Sequence, residues 1–217
     1  MSVRGGSVLA AALLLMGGAA LFFFRSAPAP DLSSYPNMPP RGARLAAFGD
    51  SLIEGVGSTR GGGFVSLLEE RLNVPILNAG RAGDTTRDAL RRLPALLKEE
   101  PDIVLVLLGG NDALRRVPPE ETFENLRTII TRLQEEGAVV VVLGVSGGFF
   151  QKQYARGFTL LAKELRVPYI PNVLKGIVGR PELTADLVHP NDAGYARIAD
   201  RVEPLLRALV ARAQERP

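Results

Sequence analysis

Four short stretches of the chain carry side chains that could do chemistry together. "FGDSLIEGVG" holds Ser51 just past Gly49, and "NAGRAGDTT" supplies Gly80 and Gly83. "GGND" supplies Asn111, and "TADLVHPNDAGY" holds Asp186 and His189, the single histidine of the chain. A serine hydroxyl is a poor nucleophile until a base takes its proton. Histidine is the natural base near neutral pH, and it needs a carboxylate to hold its tautomer and stabilise its charged form. A tetrahedral intermediate in turn needs donors aimed at its oxyanion. Ser51, His189 and Asp186 are the candidates for the first three roles. The N–H groups of Ser51 and Gly83, with the side-chain amide of Asn111, are the candidates for the last. Taken singly, each stretch also has a plain reading as a helix cap, a loop or a turn, and a lone histidine is often incidental.

Composition removes several alternatives. The chain has no cysteine, so disulfides, thiolate catalysis and cysteine-ligated metals are excluded. With one histidine and no clustered carboxylates in the sequence, neither a metal nor a cofactor is expected. The 217 residues suit one domain with a sizeable core. The net charge of +3 is spread along the chain without basic runs interleaved with aromatics, which speaks against nucleic acid as a partner. A small-molecule or lipid ester is the expected partner, and the domain is expected to be monomeric.

The N-terminus reads separately. Gly5–Phe24 is a run of twenty uncharged residues. As a helix it would span about 30 Å, the thickness of a bilayer core. A signal peptide's apolar region is shorter, so residues 1–26 read as a retained anchor, with a cleaved signal as the alternative. Residues 27–42 read as a linker, with five prolines between Ala27 and Pro40 keeping it extended. This arrangement implies a catalytic domain, residues 43–217, held outside the cytoplasm or secreted.

The elements that must position the four stretches alternate regularly. Strands are expected at 43–48, 75–79, 102–110, 138–145 and 167–170. Helices are expected at 62–72, at 84–100 capped by Asp84, at 118–137 and at 150–166. A last helix begins at Pro190 and is disturbed near Pro204. Strands separated by such helices make βαβ units and a parallel sheet, expected in the flavodoxin-like order 2-1-3-4-5. In such a sheet ligands bind at the carboxyl ends of the strands, where all four stretches fall.

"FGDSL", "NAGRAGDTT", "GGND" and "DLVHPN", in that order, resemble the block motifs of the SGNH (GDSL) hydrolase family, closest to its thioesterase I/lysophospholipase L1/arylesterase type. The resemblance implies a three-layer α/β/α fold and a cofactor-free Ser–His–Asp hydrolase of esters and thioesters, such as aryl esters, short-to-medium acyl esters or lysophospholipids. It places the nucleophile at Ser51, the other triad members at Asp186 and His189, and oxyanion donors at Gly83, in preference to Gly80, and Asn111. The loop "GVSGGFFQKQ" departs from that pattern. Its Phe149 and Phe150 are candidates for an apolar substrate wall or for plain loop packing. A carbohydrate O-deacetylase or acyltransferase on the same triad is the alternative. A non-catalytic tethered binding module is a further one.

Overall fold

Five short runs of aliphatic residues build the sheet. In the computed structural model, which describes residues 31–146 and 152–215, β1 (Leu45–Gly49), β2 (Ile76–Gly80), β3 (Ile103–Leu107), β4 (Val139–Leu143) and β5 (Tyr169–Ile170) are all parallel, in the order β2-β1-β3-β4-β5. β1, β3 and β4 are buried at every position, as strands covered on both faces must be. β2 lies at an edge and exposes Leu77 and Asn78.

The connections are α1 (Ser51–Glu54), α2 (Gly63–Leu72), α3 (Thr86–Leu97), α4 (Gly110–Leu114), α5 (Pro119–Glu135), α6 (Lys152–Glu164) and α7 (Asp192–Gln214). α2 packs on α7, while α3 packs on α5 and α5 on α6. Right-handed crossovers in this strand order place these two groups on opposite faces of the sheet. The result is the expected α/β/α sandwich, with the core on both sides of β1, β3 and β4.

Several boundaries differ from the sequence expectation. The apolar run ending β3 stops at Leu107, because Gly109 takes φ +101° and Gly110 opens α4. α3 is capped by Thr85, not Asp84. Thr85 accepts from the Asp88 N–H, and Asp88 reaches back to the Thr85 N–H, a reciprocal capping box. Pro190 does not start α7. It forms an isolated antiparallel bridge with Thr184, and Asn191 caps the helix by accepting from the Gly194 N–H at 3.0 Å. α7 runs on through Pro204 without a break.

The linker expectation for residues 27–42 also needs correction. From Asp31 the chain belongs to the domain. Leu32 is only 3% exposed and joins the core, with Tyr35 and Met38 packed against it. Asn37 donates to the carbonyls of Gln134 and Ala138 at 2.8 and 2.9 Å. The prolines do keep this stretch irregular, but its apolar side chains pin it to the surface between them. Residues 1–30, including the expected anchor, lie outside the described residues. Among the described residues no helix is long and apolar enough to cross a membrane.

Candidate active site

β1 ends at Gly49, paired in register with Gly80 of β2 and Leu107 of β3. A Cβ on Gly49 would collide with the Leu107 carbonyl and the Ile53 side chain, so only glycine lets the chain leave the sheet this tightly. Asp50 then caps α1 by accepting from the Leu52 N–H at 3.0 Å. Ser51 is the first residue of α1, a position whose N–H has no partner within the helix. Its hydroxyl stands above the end of the sheet.

His189 reaches that hydroxyl from the far end of the chain. The loop before α7 is closed by the Thr184–Pro190 bridge, by Ala185 N–H donating to the His189 carbonyl at 2.9 Å, and by Asn191 N–H donating to the Leu183 carbonyl at 3.0 Å. Gly57 fits beneath this loop with φ +94°, its Cα facing the Pro190 carbonyl and the His189 Cβ. His189 Nε2 lies 3.0 Å from Ser51 Oγ, and Nδ1 lies 2.7 Å from Asp186 Oδ2. Asp186 Oδ1 also accepts the N–H groups of Val188 and His189, each at 2.8 Å. The hydrogen bond from the imidazole, aided by these two N–H groups, lowers the Asp186 carboxyl to about 2, so it stays ionised as the partner of the ring.

The loops after β2 and β3 bring in the donors. Gly83 takes φ +81°, and its N–H has no acceptor among the described residues. The Gly80 N–H is already bonded to Asn78 Oδ1 at 3.0 Å. A Cβ on Gly80 would overlap the backbone of Glu54. Gly80 therefore serves close packing of β2 against α1, and Gly83 is left as the glycine with a free donor. Asn111 uses one amide hydrogen on the Asp84 carbonyl at 2.9 Å, which leaves its second N–H for the cavity it lines. That cavity, about 190 Å³, contains Ser51, Asn111 and His189, and its apolar wall is Leu52, Leu114, Leu174, Val178 and Val188. A wider cleft of about 440 Å³ around Arg81 and Arg115 holds no nucleophile–base pair. No group of three or more His, Asp or Glu side chains able to hold a metal occurs among the described residues.

The profile of the GDSL-like Lipase/Acylhydrolase family matches residues 47–197. The chain belongs to this family. As a GDSL-like acylhydrolase it is an ester-bond hydrolase. It is 34% identical over 178 residues to esterase TesA of Pseudomonas aeruginosa, covering 76% of this chain and 89% of that one. It is 33% identical over 175 residues to thioesterase 1/protease 1/lysophospholipase L1 of Escherichia coli, covering 76% and 84%. A solved structure of TesA superposes with a TM-score of 0.72 at 33% identity, over 76% of this chain and 99% of that one.

Several residues of this acylhydrolase site escaped the sequence reading. Asp112, fully buried, accepts from Thr86 N–H at 2.9 Å and Thr86 Oγ1 at 2.6 Å. It thereby ties the start of α3, beside Gly83, to α4, which carries Asn111. Its place in "GGND" was the one available signal. Asp50, next to Ser51, is buried, and burial pushes its carboxyl up to about 7. The apolar wall was also missed, although Leu52, Leu114 and Val188 each sit within three residues of a motif residue. Phe149 and Phe150 lie outside the described residues.

Proposed function

We propose that this hydrolase cleaves acyl esters or thioesters with Ser51 as nucleophile, His189 as base and Asp186 as the carboxylate that orients it. Ser51 Oγ attacks the acyl carbonyl carbon while its proton passes to His189 Nε2. The negative oxygen of the tetrahedral intermediate is met by the N–H groups of Ser51 and Gly83 and the Asn111 amide. Collapse transfers the proton from His189 to the leaving oxygen or sulfur and leaves an acyl-serine. A water, deprotonated by His189, then attacks that carbonyl, the acyl–Oγ bond breaks, Ser51 Oγ takes the proton back from His189, and the acid is released. The observation that carries this reading is the 3.0 Å contact of His189 Nε2 with Ser51 Oγ, backed by the 2.7 Å contact to Asp186.

The apolar wall of the cavity favours an aliphatic or aryl acyl group over the acetyl group of a sugar. Relatives named esterase, thioesterase and arylesterase support the same range. Ser51→Ala tests the assignment. Hydrolysis across a p-nitrophenyl ester series and labelling by a fluorophosphonate are both expected to vanish, with the circular dichroism unchanged. Undiminished labelling of that variant removes Ser51 as nucleophile.

Residues 5–24 form an uncharged run of bilayer length, and on that composition we propose that they tether the domain to a membrane with the site outside the cytoplasm. Membranes washed with alkaline carbonate are expected to retain the full chain. A soluble product with a new N-terminus near Pro30 replaces the tether by a cleaved signal.

A further inference from the structure

Arg92 lies in the middle of α3, outside every motif of the site, with 21% of its side chain exposed. Its guanidinium makes contacts to three segments of chain. Nη2 donates to the Gly49 carbonyl at 2.6 Å, Nη1 to the Ala79 carbonyl at 2.7 Å, and Nε to Asp84 Oδ2. Its plane rests over the Phe48 ring, 4.4 Å from the centroid. Gly49 ends β1 two residues before Ser51. Ala79 belongs to β2. Asp84 follows Gly83, and its carbonyl takes the Asn111 amide at 2.9 Å. Each of the three proposed donors therefore stands within two residues, or one hydrogen bond, of a group that this one side chain holds.

We infer that Arg92 is a positioning residue for the oxyanion hole. It sets the relative placement of the Ser51 N–H, the Gly83 N–H and the Asn111 amide while touching no substrate itself. The planar, pre-organised fork of arginine suits a site that needs donors in three fixed directions, whereas a lysine ammonium is a compact point charge on a flexible stem. Oxyanion stabilisation depends steeply on donor placement, and a shift of about 1 Å at a reacting centre costs about 10²-fold. The inference rests on the nucleophile and donors proposed above.

The test measures kcat, KM and melting temperature on p-nitrophenyl butyrate for the full chain carrying Arg92→Lys, Arg92→Ala, Asn111→Ala, Arg92→Lys with Asn111→Ala, or Ser51→Ala. Arg92→Lys keeps a cation opposite Asp84, so the fold is expected to persist. Its kcat is expected to fall about 30- to 100-fold with KM within about twofold. In the Asn111→Ala background the same change is expected to cost less than about threefold, because the two residues serve one structure. Ethylguanidinium added to Arg92→Ala is expected to restore part of kcat. A normal kcat in Arg92→Lys with a lowered melting temperature, or full additivity with Asn111→Ala, overturns the inference. Loss of activity in Ser51→Ala beside a normal Arg92→Lys overturns the inference alone. Undiminished activity in Ser51→Ala overturns it together with the reading beneath it.

Discussion

His189 Nε2 stands 3.0 Å from the hydroxyl of Ser51, 138 residues away along the chain. The two residues meet because one follows β1 and the other lies in the loop closed by the Thr184–Pro190 bridge, before α7. Neither is placed by a long side chain reaching outward. Ser51 is fixed by the Asp50 cap at the start of α1, and His189 by main-chain bonds of its own loop. The side chains that line the cavity inherit that rigidity.

Asn111→Ala is expected to lower kcat by about 10²–10³ with little change in KM, the pattern of a donor used mainly in the transition state. Asn111→Asp is expected to be worse, since it puts a negative charge where one develops. Asn111 also donates to the Asp84 carbonyl, so a modest fall in melting temperature accompanies the loss. Steady-state kinetics and thermal melting of the same preparation check this. A near-normal kcat with a large drop in melting temperature reduces Asn111 to a structural bridge.

Asp50 makes stability depend on pH in the direction opposite to an exposed, paired carboxylate. Burial raises its carboxyl from the ordinary 3.8 to about 7. Below about pH 4 it is protonated in both folded and unfolded chains. Between about 4 and 7 the unfolded chain releases the proton and the folded chain keeps it, so this group's contribution to stability falls as pH rises. Above about 7 the folded chain carries a buried charge, at a cost on the order of a few kcal/mol. Asp50→Asn keeps the acceptor for the Leu52 N–H and removes the ionisation. It is expected to match the wild type near pH 4.5 and to exceed it in stability at pH 8. Denaturant unfolding of both proteins at the two pH values checks this. An unchanged difference between the two pH values shows that Asp50 does not titrate in this range.

The N-terminal segment is expected to matter for stability and not for chemistry. Leu32 is buried among core residues, so Leu32→Ala is expected to cost about 2–5 kcal/mol, the range for truncating a buried leucine. A chain starting at Gly42 loses Leu32, Tyr35, Met38 and the Asn37 bonds together. It is expected to melt well below a chain starting at Asp31. The kcat of Leu32→Ala, measured well below its melting temperature, is expected to equal the wild type. A chain from Gly42 as stable as one from Asp31 means that these contacts contribute nothing.

Local chemistry was legible along the chain. Glycines marked where the first four strands turned, the aliphatic runs marked buried parallel strands, and Asp186 three residues before His189 placed acid and base within one loop. The strand order followed from the alternation of elements, and a parallel sheet gathers every loop after a strand at one end. What remained hidden depends on which atoms meet across segments distant in sequence. The preference for Gly83 over Gly80 came with the family resemblance, and its physical reason appears only in the fold, where Asn78 occupies the Gly80 N–H and the Gly83 N–H is left free. The packing of Leu32 was obscured because proline content reports local backbone shape and says nothing of a distant groove. Asp112 read as the last residue of the "GGND" turn and Arg92 as an ordinary helix residue, and they acquire their roles only when α3, α4 and the ends of β1 and β2 are brought within hydrogen-bonding distance. Periodicity and motif spacing report a residue's own turn of chain. Convergence of carbonyls and carboxylates on one guanidinium is a property of the packed sheet.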